Sequence, residues 1–490
     1  MNRCICISGL LVFALVAGSL GGCSRPVDEG KIPLTTKSDE AMKEYIQGRD
    51  MLAQGQSHEA NAHSDRAIAA DTGFAMAYLQ RAGGSASTSE FMSYVSKAVS
   101  HSGAASEGER LTILAAKAAS IGDMAGQREN LEKLVAAYPK DERAHEALAF
   151  YFSGQQENDS AVFHFKAATE IAPAYPSVYN GLGYAYRAME KYPEAEQAFR
   201  KYIELVPSDP NPYDSYAELL MKEGKFDQSM ENYKLALTKD PNFVSSKQGV
   251  AFNFLYMGKS AQAASELQAM MASARDDGER GLARFAMMVL HIDGGNTAMA
   301  LQVCDSMYAV AERQNDVNDM AGALDFKGAI LEEAGKNAEA MEYYDREMKM
   351  IESSSLPAER KESSVRTHHF NAATIALATG DVRGAKTHAD ELEKLVAANP
   401  TPARVRGVHE LYGRIALGTK EYDRAIGELQ KANMLDAHNL YRLALAYQGK
   451  GDTGKAREYC ERAAHFYSVP DMGYAAIRLK AEKMLAGMKG

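Results

Sequence analysis

The 490-residue sequence predicts an all-α solenoid built from about ten or eleven helical hairpins. Two features of the chain lead there. Pro139, Pro173, Pro207 and Pro241 stand 34 residues apart, and small and aromatic residues recur in one register between them. A period of that length is one helix-turn-helix unit repeated along a chain. Composition agrees, because 46% hydrophobic and 24% charged residues with only 14 prolines suit a folded, helix-rich protein. The formal net charge of -10 is spread along the chain. With no basic stripe to track a phosphate backbone, nucleic acid is not expected as a partner.

At the N-terminus, Arg3 precedes an apolar run from Ile7 to Leu20. The run is shorter than the roughly 20 residues of a membrane-spanning helix and fits a secretory signal. Leu20-Gly21-Gly22-Cys23 then resembles the bacterial lipobox. That resemblance implies a signal peptide over 1–22, cleavage before Cys23 and lipidation of its thiol. Ser24 stands where the inner-membrane retention signal of enterobacterial lipoproteins has aspartate, which favours an outer-membrane destination. The expected location is therefore the cell envelope, facing the periplasm or the cell surface, with the lipid as the only membrane contact. Residues 23–40, rich in Ser, Thr, Pro and charge, read as a tether.

The repeat is clearest in the unit Tyr179-x2-Leu182-Gly183-x2-Tyr186, Ala195-x3-Phe199, Pro207. The preceding unit repeats it with His145, Leu148, Ala149, Phe152, Ala161, Phe165, Ala168 and Pro173. The following one has Tyr213, Tyr216, Ala217, Leu220, Ser229, Tyr233, Ala236 and Pro241. Four units begin near residues 108, 142, 176 and 210 without an insertion. This pattern resembles the tetratricopeptide repeat, with Tyr179 where that family often has tryptophan. The resemblance implies a right-handed superhelix whose first helices line a concave side.

The pattern has a physical reason. Gly183 and Ala195 sit where two helices cross closely, and Tyr186 and Phe199 fill the space beside them. Gly224, Gly258, Gly335, Gly380 and Gly451 fall at the break between helices, where positive φ favours glycine. Pro193 falls in a first helical turn, where its missing N–H is not needed.

Outside the centre the register decays. A unit from about residue 41 carries Gly48, Met51, Gly55, Ala60 and Ala67. The stretch 75–107 keeps a helical second half, Phe91 to Val99, while its first half ends early at Gly83-Gly84. Beyond residue 244 come Val250, Ala251, Phe254, Gly258 and Ala263, then Gly328, Leu331, Gly335 and Ala340, with a long connection expected from Ile351 to Glu362. Two last pairs carry Tyr412, Gly413, Ala416 and Ala425, then Leu443, Ala444, Tyr447, Gly451 and Ala456. The expected divisions are an N-terminal array at 41–275, a divergent array at 276–470, and a capping helix and tail at 471–490.

Reactive chemistry is sparse. Gly449-x4-Gly454-Lys455 lacks the hydroxyl residue of a phosphate loop and lies between helices. His145, His369 and His409 fall on the position of Tyr179 and Tyr213, so packing accounts for them more simply than metal binding does. Cys304 and Cys460 fall at or next to the packing position of Phe199; whether they pair is open from sequence. No cofactor, metal or catalytic residue is expected, and the chain reads as non-enzymatic. The repeat resemblance places Asn180, Tyr184, Arg187, Asp214, Glu218, Met221, Gln248, Phe252, Leu255 and Tyr256 on the concave side. The candidate ligand set is Asn180, Tyr184, Arg187, Asp214, Glu218, Gln248, Phe252 and Tyr256, with padding between helices as the other role open to Tyr184 and Phe252. The expected function is a scaffold or adaptor binding a partner protein or peptide in that groove. The alternative is a glycan-binding lipoprotein partnering an outer-membrane transporter, which the absence of tryptophan disfavours.

Overall fold

In a computed structural model, residues 30–53, 56–85 and 87–488 are described. The expected signal peptide, Cys23 and Gly55 lie outside them. The described chain is twelve consecutive helical hairpins and a terminal helix, wound as a right-handed solenoid. Hairpins 1 to 4 comprise α1 (Asp39–Ala53) with α2 (Ser57–Ala70), α3 (Ala75–Gly83) with α4 (Thr88–His101), α5 (Glu107–Ser120) with α6 (Met124–Ala137), and α7 (Glu142–Gly154) with α8 (Asn158–Ile171). Hairpins 5 to 8 are α9 (Pro176–Ala188) with α10 (Tyr192–Leu205), α11 (Asn211–Lys222) with α12 (Phe226–Lys239), α13 (Val244–Tyr256) with α14 (Ser260–Ser273), and α15 (Asp277–Asp293) with α16 (Thr297–Arg313). Hairpins 9 to 12 are α17 (Val317–Glu333) with α18 (Asn337–Ser353), α19 (Ala358–Ala378) with α20 (Val382–Ala398), α21 (Pro402–Gly418) with α22 (Tyr422–Leu429), and α23 (Ala437–Lys450) with α24 (Thr453–Ala464). The terminal helix is α25 (Met472–Gly487).

The structure thus holds more hairpins than the ten or eleven legible in the sequence. Helices α15 to α21 run 17 to 21 residues. Their longer spacing removes the 34-residue period that marks the centre. For the same reason the long connection expected from Ile351 to Glu362 shrinks to residues 354–357, since α18 and α19 take up the rest. The described part of the expected tether is docked rather than loose. The Ile32 N–H donates to Asp141 Oδ2 at 2.6 Å and the Thr35 N–H to Glu109 Oε1 at 2.8 Å. Ile32 is itself buried in the core of hairpins 3 to 5.

Hairpins 3 to 12 close in the same way. At the turns the Lys191 N–H donates to Tyr186 O at 3.0 Å and the Lys225 N–H to Leu220 O at 2.8 Å, a Schellman closure that needs one left-handed residue. Glycine supplies it at Gly122, Gly224, Gly258, Gly295, Gly335, Gly380 and Gly451, while Gln156, Glu190 and Lys420 occupy it in the other turns; Asn315 does the same in the connection between hairpins 8 and 9. Between helices, aromatic rings of the second helix press on small residues of the first. A Cβ on Gly183 would lie 2.5 Å from Phe199 Cε1, and one on Gly328 would strike the Tyr344 ring. Phe165 and Tyr233 do the same to Gly181 and Gly249 of the following hairpin. Each ring is therefore clamped between its own hairpin and a neighbour, and full burial of such a side chain contributes about 2–3 kcal/mol.

The tyrosine and histidine position also has a common chemistry. Tyr179 and Tyr213 donate to Pro173 O and Pro207 O at 3.0 and 2.9 Å, and His145 Nε2 lies 3.2 Å from Pro139 O. Nineteen residues on, a polar partner faces this slot in four hairpins: Glu44 with His63, His145 with His164, His369 with His388, and His409 with Glu428. Burial, then the neighbouring imidazoles, push His164 and His369 below the usual histidine pKa. Cys304 and Cys460 are both free and buried, which answers the pairing question.

Ala195 is fully buried at the α9–α10 crossing. Ala195→Trp is expected to destabilise the central hairpins by about 3 kcal/mol through overpacking, lowering the urea midpoint followed by circular dichroism.

Candidate binding groove

The winding of the solenoid decides what its inner face offers. Hairpins seven apart along the chain touch. Arg275, just before hairpin 8, pairs with Glu59 of hairpin 1 at 2.7 Å, and Ser89 N–H of hairpin 2 donates to Asp316 Oδ2 at the start of hairpin 9 at 3.2 Å. Arg406 of hairpin 11 donates to Gln155 O of hairpin 4 at 2.7 Å, and Arg462 of hairpin 12 to Glu190 of hairpin 5 at 2.9 Å. One superhelical turn therefore takes about seven hairpins, and successive turns meet through polar side chains.

So tight a turn crowds the first helices on the inside. Polar side chains tie each to the next: Tyr184 O–H to Ser215 Oγ at 3.3 Å, Arg187 to Glu218 at 2.7 Å, Ser246 O–H to Asp214 at 2.6 Å and Gln248 Nε2 to Leu282 O at 3.1 Å. Asp214, Gln248 and Phe252 are consequently buried, at 3%, 7% and 1% exposure. These three pack between hairpins and present no surface to a ligand. Burial and then the Glu218 charge push the Asp214 carboxyl well above the usual carboxylate range. Asn180 is half-buried, and its Oδ1 has no hydrogen-bond partner among the described residues.

The remaining predicted residues converge. Tyr184, Arg187 and Glu218 line a cavity of about 350 Å3 together with Ser153, Asn158 and Lys222. The Arg187 guanidinium lies 4.6 Å from the centre of the Tyr184 ring. Burial opposes the Arg187 charge, but Glu218 overrides it and the pKa is raised. The opposite wall is Phe466, Tyr467, Ser468, Val469 and Asp471, from the segment between α24 and α25. Lys222 donates to Phe466 O and its ammonium sits 3.5 Å from the centre of the Phe466 ring. Tyr256 donates to Ser468 O. Sequence reasoning stopped one residue short of Lys222, at Met221 on the same stripe. It had no means of finding the far wall, more than 200 residues away in the chain.

A second cavity, of about 410 Å3, lies between α15, α17, α21, α23 and α25. Its charges are already mutually satisfied: Glu332 with Arg414, Glu410 with Arg442, and Glu333 with His438 and Lys480. Burial opposes the Glu333 charge, but His438 and Lys480 hold its pKa down at about 2. Among the described residues no group of three or more His, Cys, Asp and Glu is placed to hold a metal, and no helix is long and apolar enough to cross a membrane.

Fold and groove together define an α-helical repeat solenoid with a polar, aromatic inner face. Within that class, residues 176–209 and 437–464 match the tetratricopeptide repeat. The chain is similar in fold to a tetratricopeptide repeat protein from Parabacteroides merdae, at 13% identity over 66% of this chain and 98% of that one, with a TM-score of 0.34. It is also similar to a thermophilic tetratricopeptide protein of Thermus thermophilus, at 18% identity over 44% of this chain and 99% of that one, TM-score 0.30. The human IFIT1 dimer with m7Gppp-AAAA aligns at 15% identity over 88% of this chain and 90% of that one, TM-score 0.39. No curated protein sequence matches the chain.

Lys222 titrates where it can be tested. Burial, with the Arg187 charge acting the same way, pushes its pKa down to about 7. The folded chain therefore releases this proton near pH 7 while an unfolded lysine holds it to about 10.4, so stability rises across that interval. Lys222→Met is expected to flatten the rise in urea-unfolding free energy between pH 7 and 10.

Proposed function

We propose that this protein is a non-enzymatic scaffold that holds a partner protein or peptide in the inner groove of hairpins 4 to 6. The supporting observation is the cavity where Tyr184, Arg187, Glu218 and Lys222 converge. An aromatic face, a paired arginine and a lysine that donates to a main-chain carbonyl suit a polypeptide. Main-chain carbonyls and side-chain rings can engage all of them. Burying such a site takes no rearrangement of the hairpins, because neighbouring helices already fix its side chains.

The scaffold acts in the bacterial cell envelope, anchored through lipid on Cys23. Support for this comes from the apolar run Ile7–Leu20 and the lipobox-like Leu20-Gly21-Gly22-Cys23.

Two measurements test this reading. A photo-crosslinking amino acid at Asn158, on the cavity wall, is expected to capture a defined partner in intact cells, whereas one at exposed Lys201 is not. Equal yields from both positions would remove the groove from the account. Cys23→Ala is expected to move the protein from the membrane fraction to the soluble fraction; retention in the membrane would rule out the lipid anchor.

A further inference from the structure

The groove already has an occupant. After α24 the chain leaves the repeat stack, crosses the inner face through residues 465–471, and returns as α25. Phe466 lies beneath the Lys222 ammonium, and its carbonyl accepts from the same group. The Tyr467 ring sits in an aromatic box, with centroids 4.9 Å from Phe226, 5.4 Å from Tyr256 and 6.3 Å from Tyr474. The Ser468 carbonyl accepts from Tyr256. Two rings and two main-chain carbonyls are thus read by three groove side chains.

Tyr467 also carries a backbone cost. Its φ is +38°, and the other non-glycine residues with positive φ all sit in Schellman closures of helix ends, Gln156, Glu190 and Lys420 within hairpins and Asn315 between hairpins 8 and 9. Tyr467 lies outside such a turn among the described residues. A strained residue persists only where surrounding interactions over-determine it, and here the aromatic box does so. The groove dictates the conformation of the strap. Meanwhile α25, which lends Tyr474 to the box, has a further anchor in Arg478, whose guanidinium donates to both carboxylate oxygens of Asp293 at 2.6 Å. The strap can therefore leave while its following helix stays.

We propose that residues 466–469 occupy in cis the site where the groove receives its partner, an extended segment bearing two adjacent aromatic residues with carbonyls turned to Lys222 and Tyr256. This rests on the partner-binding reading above and specifies the chemistry of the partner. A tethered segment acts at an effective concentration of about millimolar, so the partner segment displaces it only when it binds the same contacts more tightly or extends them. The adjoining cavity beside Tyr184, Arg187 and Glu218 supplies that extension, since the strap forms one wall of it and leaves its floor open.

The test uses the full chain and a fluorescent peptide spanning residues 463–472. Phe466→Ser with Tyr467→Ser empties the aromatic box, and this variant is expected to bind the peptide at least tenfold more tightly than the unaltered protein. Adding Lys222→Met is expected to reverse most of that gain, and a peptide with serine at both aromatic positions is expected not to bind. Tyr256→Phe removes only the bond to Ser468, so it serves if the double variant is misfolded. It is expected to speed amide exchange across 466–471 without changing helicity. Absence of peptide binding to the double variant, binding indifferent to Lys222, or unaltered exchange in Tyr256→Phe would each overturn the proposal and leave the strap as a fixed staple. Capture from Asn158 is read separately, so a strap that never opens and a groove that binds nothing give different results.

Discussion

Everything in this solenoid depends on rings of second helices resting on residues too small to push them away. Phe199 against Gly183, Tyr344 against Gly328, and Phe165 and Tyr233 against the glycines of the next hairpin set the distance between helices. No hairpin has a core of its own. The central cores run continuously from hairpins 3 to 5 and from 6 to 8 because each ring belongs to two neighbours at once. Stability is therefore a property of adjacent pairs, and a defect in one contact is felt by both sides.

The same contact, repeated, fixes the pitch of the superhelix, and the pitch fixes the groove. With about seven hairpins to a turn, successive turns meet edge to edge through ion pairs and single hydrogen bonds rather than through apolar area. Contacts of that kind contribute little individually when they are exposed to water. Cohesion along the stack is apolar, and hairpins of successive turns meet through polar groups, with apolar contact across the axis supplied by Tyr467 and Ala475 of the C-terminal segment. On the inside, crowding converts residues that a looser superhelix would expose, Phe252 and Asp214 among them, into inter-hairpin packing.

What remains accessible on that face is small, specific and shared with the C-terminal segment. Tyr184, Arg187, Glu218 and Lys222 form a surface that can read rings and carbonyls, and Phe466 to Ser468 already present both. The site and its internal occupant are parts of one arrangement, in which α25 caps the last hairpin and, through Arg478, braces hairpin 8 across the axis.

By itself the sequence determined the hairpin and its repetition. Residues that meet inside a hairpin or between neighbours lie about 16 to 34 positions apart, so the pattern Gly183, Ala195, Phe199, Pro207 carries them in plain view. Starts of α5, α7, α9 and α11 at 107, 142, 176 and 211 follow the predicted register closely. Where the helices lengthen, from α15 onward, the period changes and the reading loses hairpins. Tyr184, Arg187 and Glu218 were legible because they hold concave positions of successive first helices, offset in register from the packing residues that mark the repeat. Lys222 with Phe466, Tyr256 with Ser468, and Asp293 with Arg478 were not, since 185 to 244 residues separate them. Only the accumulated rotation of many hairpins brings those residues together, and no local pattern encodes a sum of small rotations.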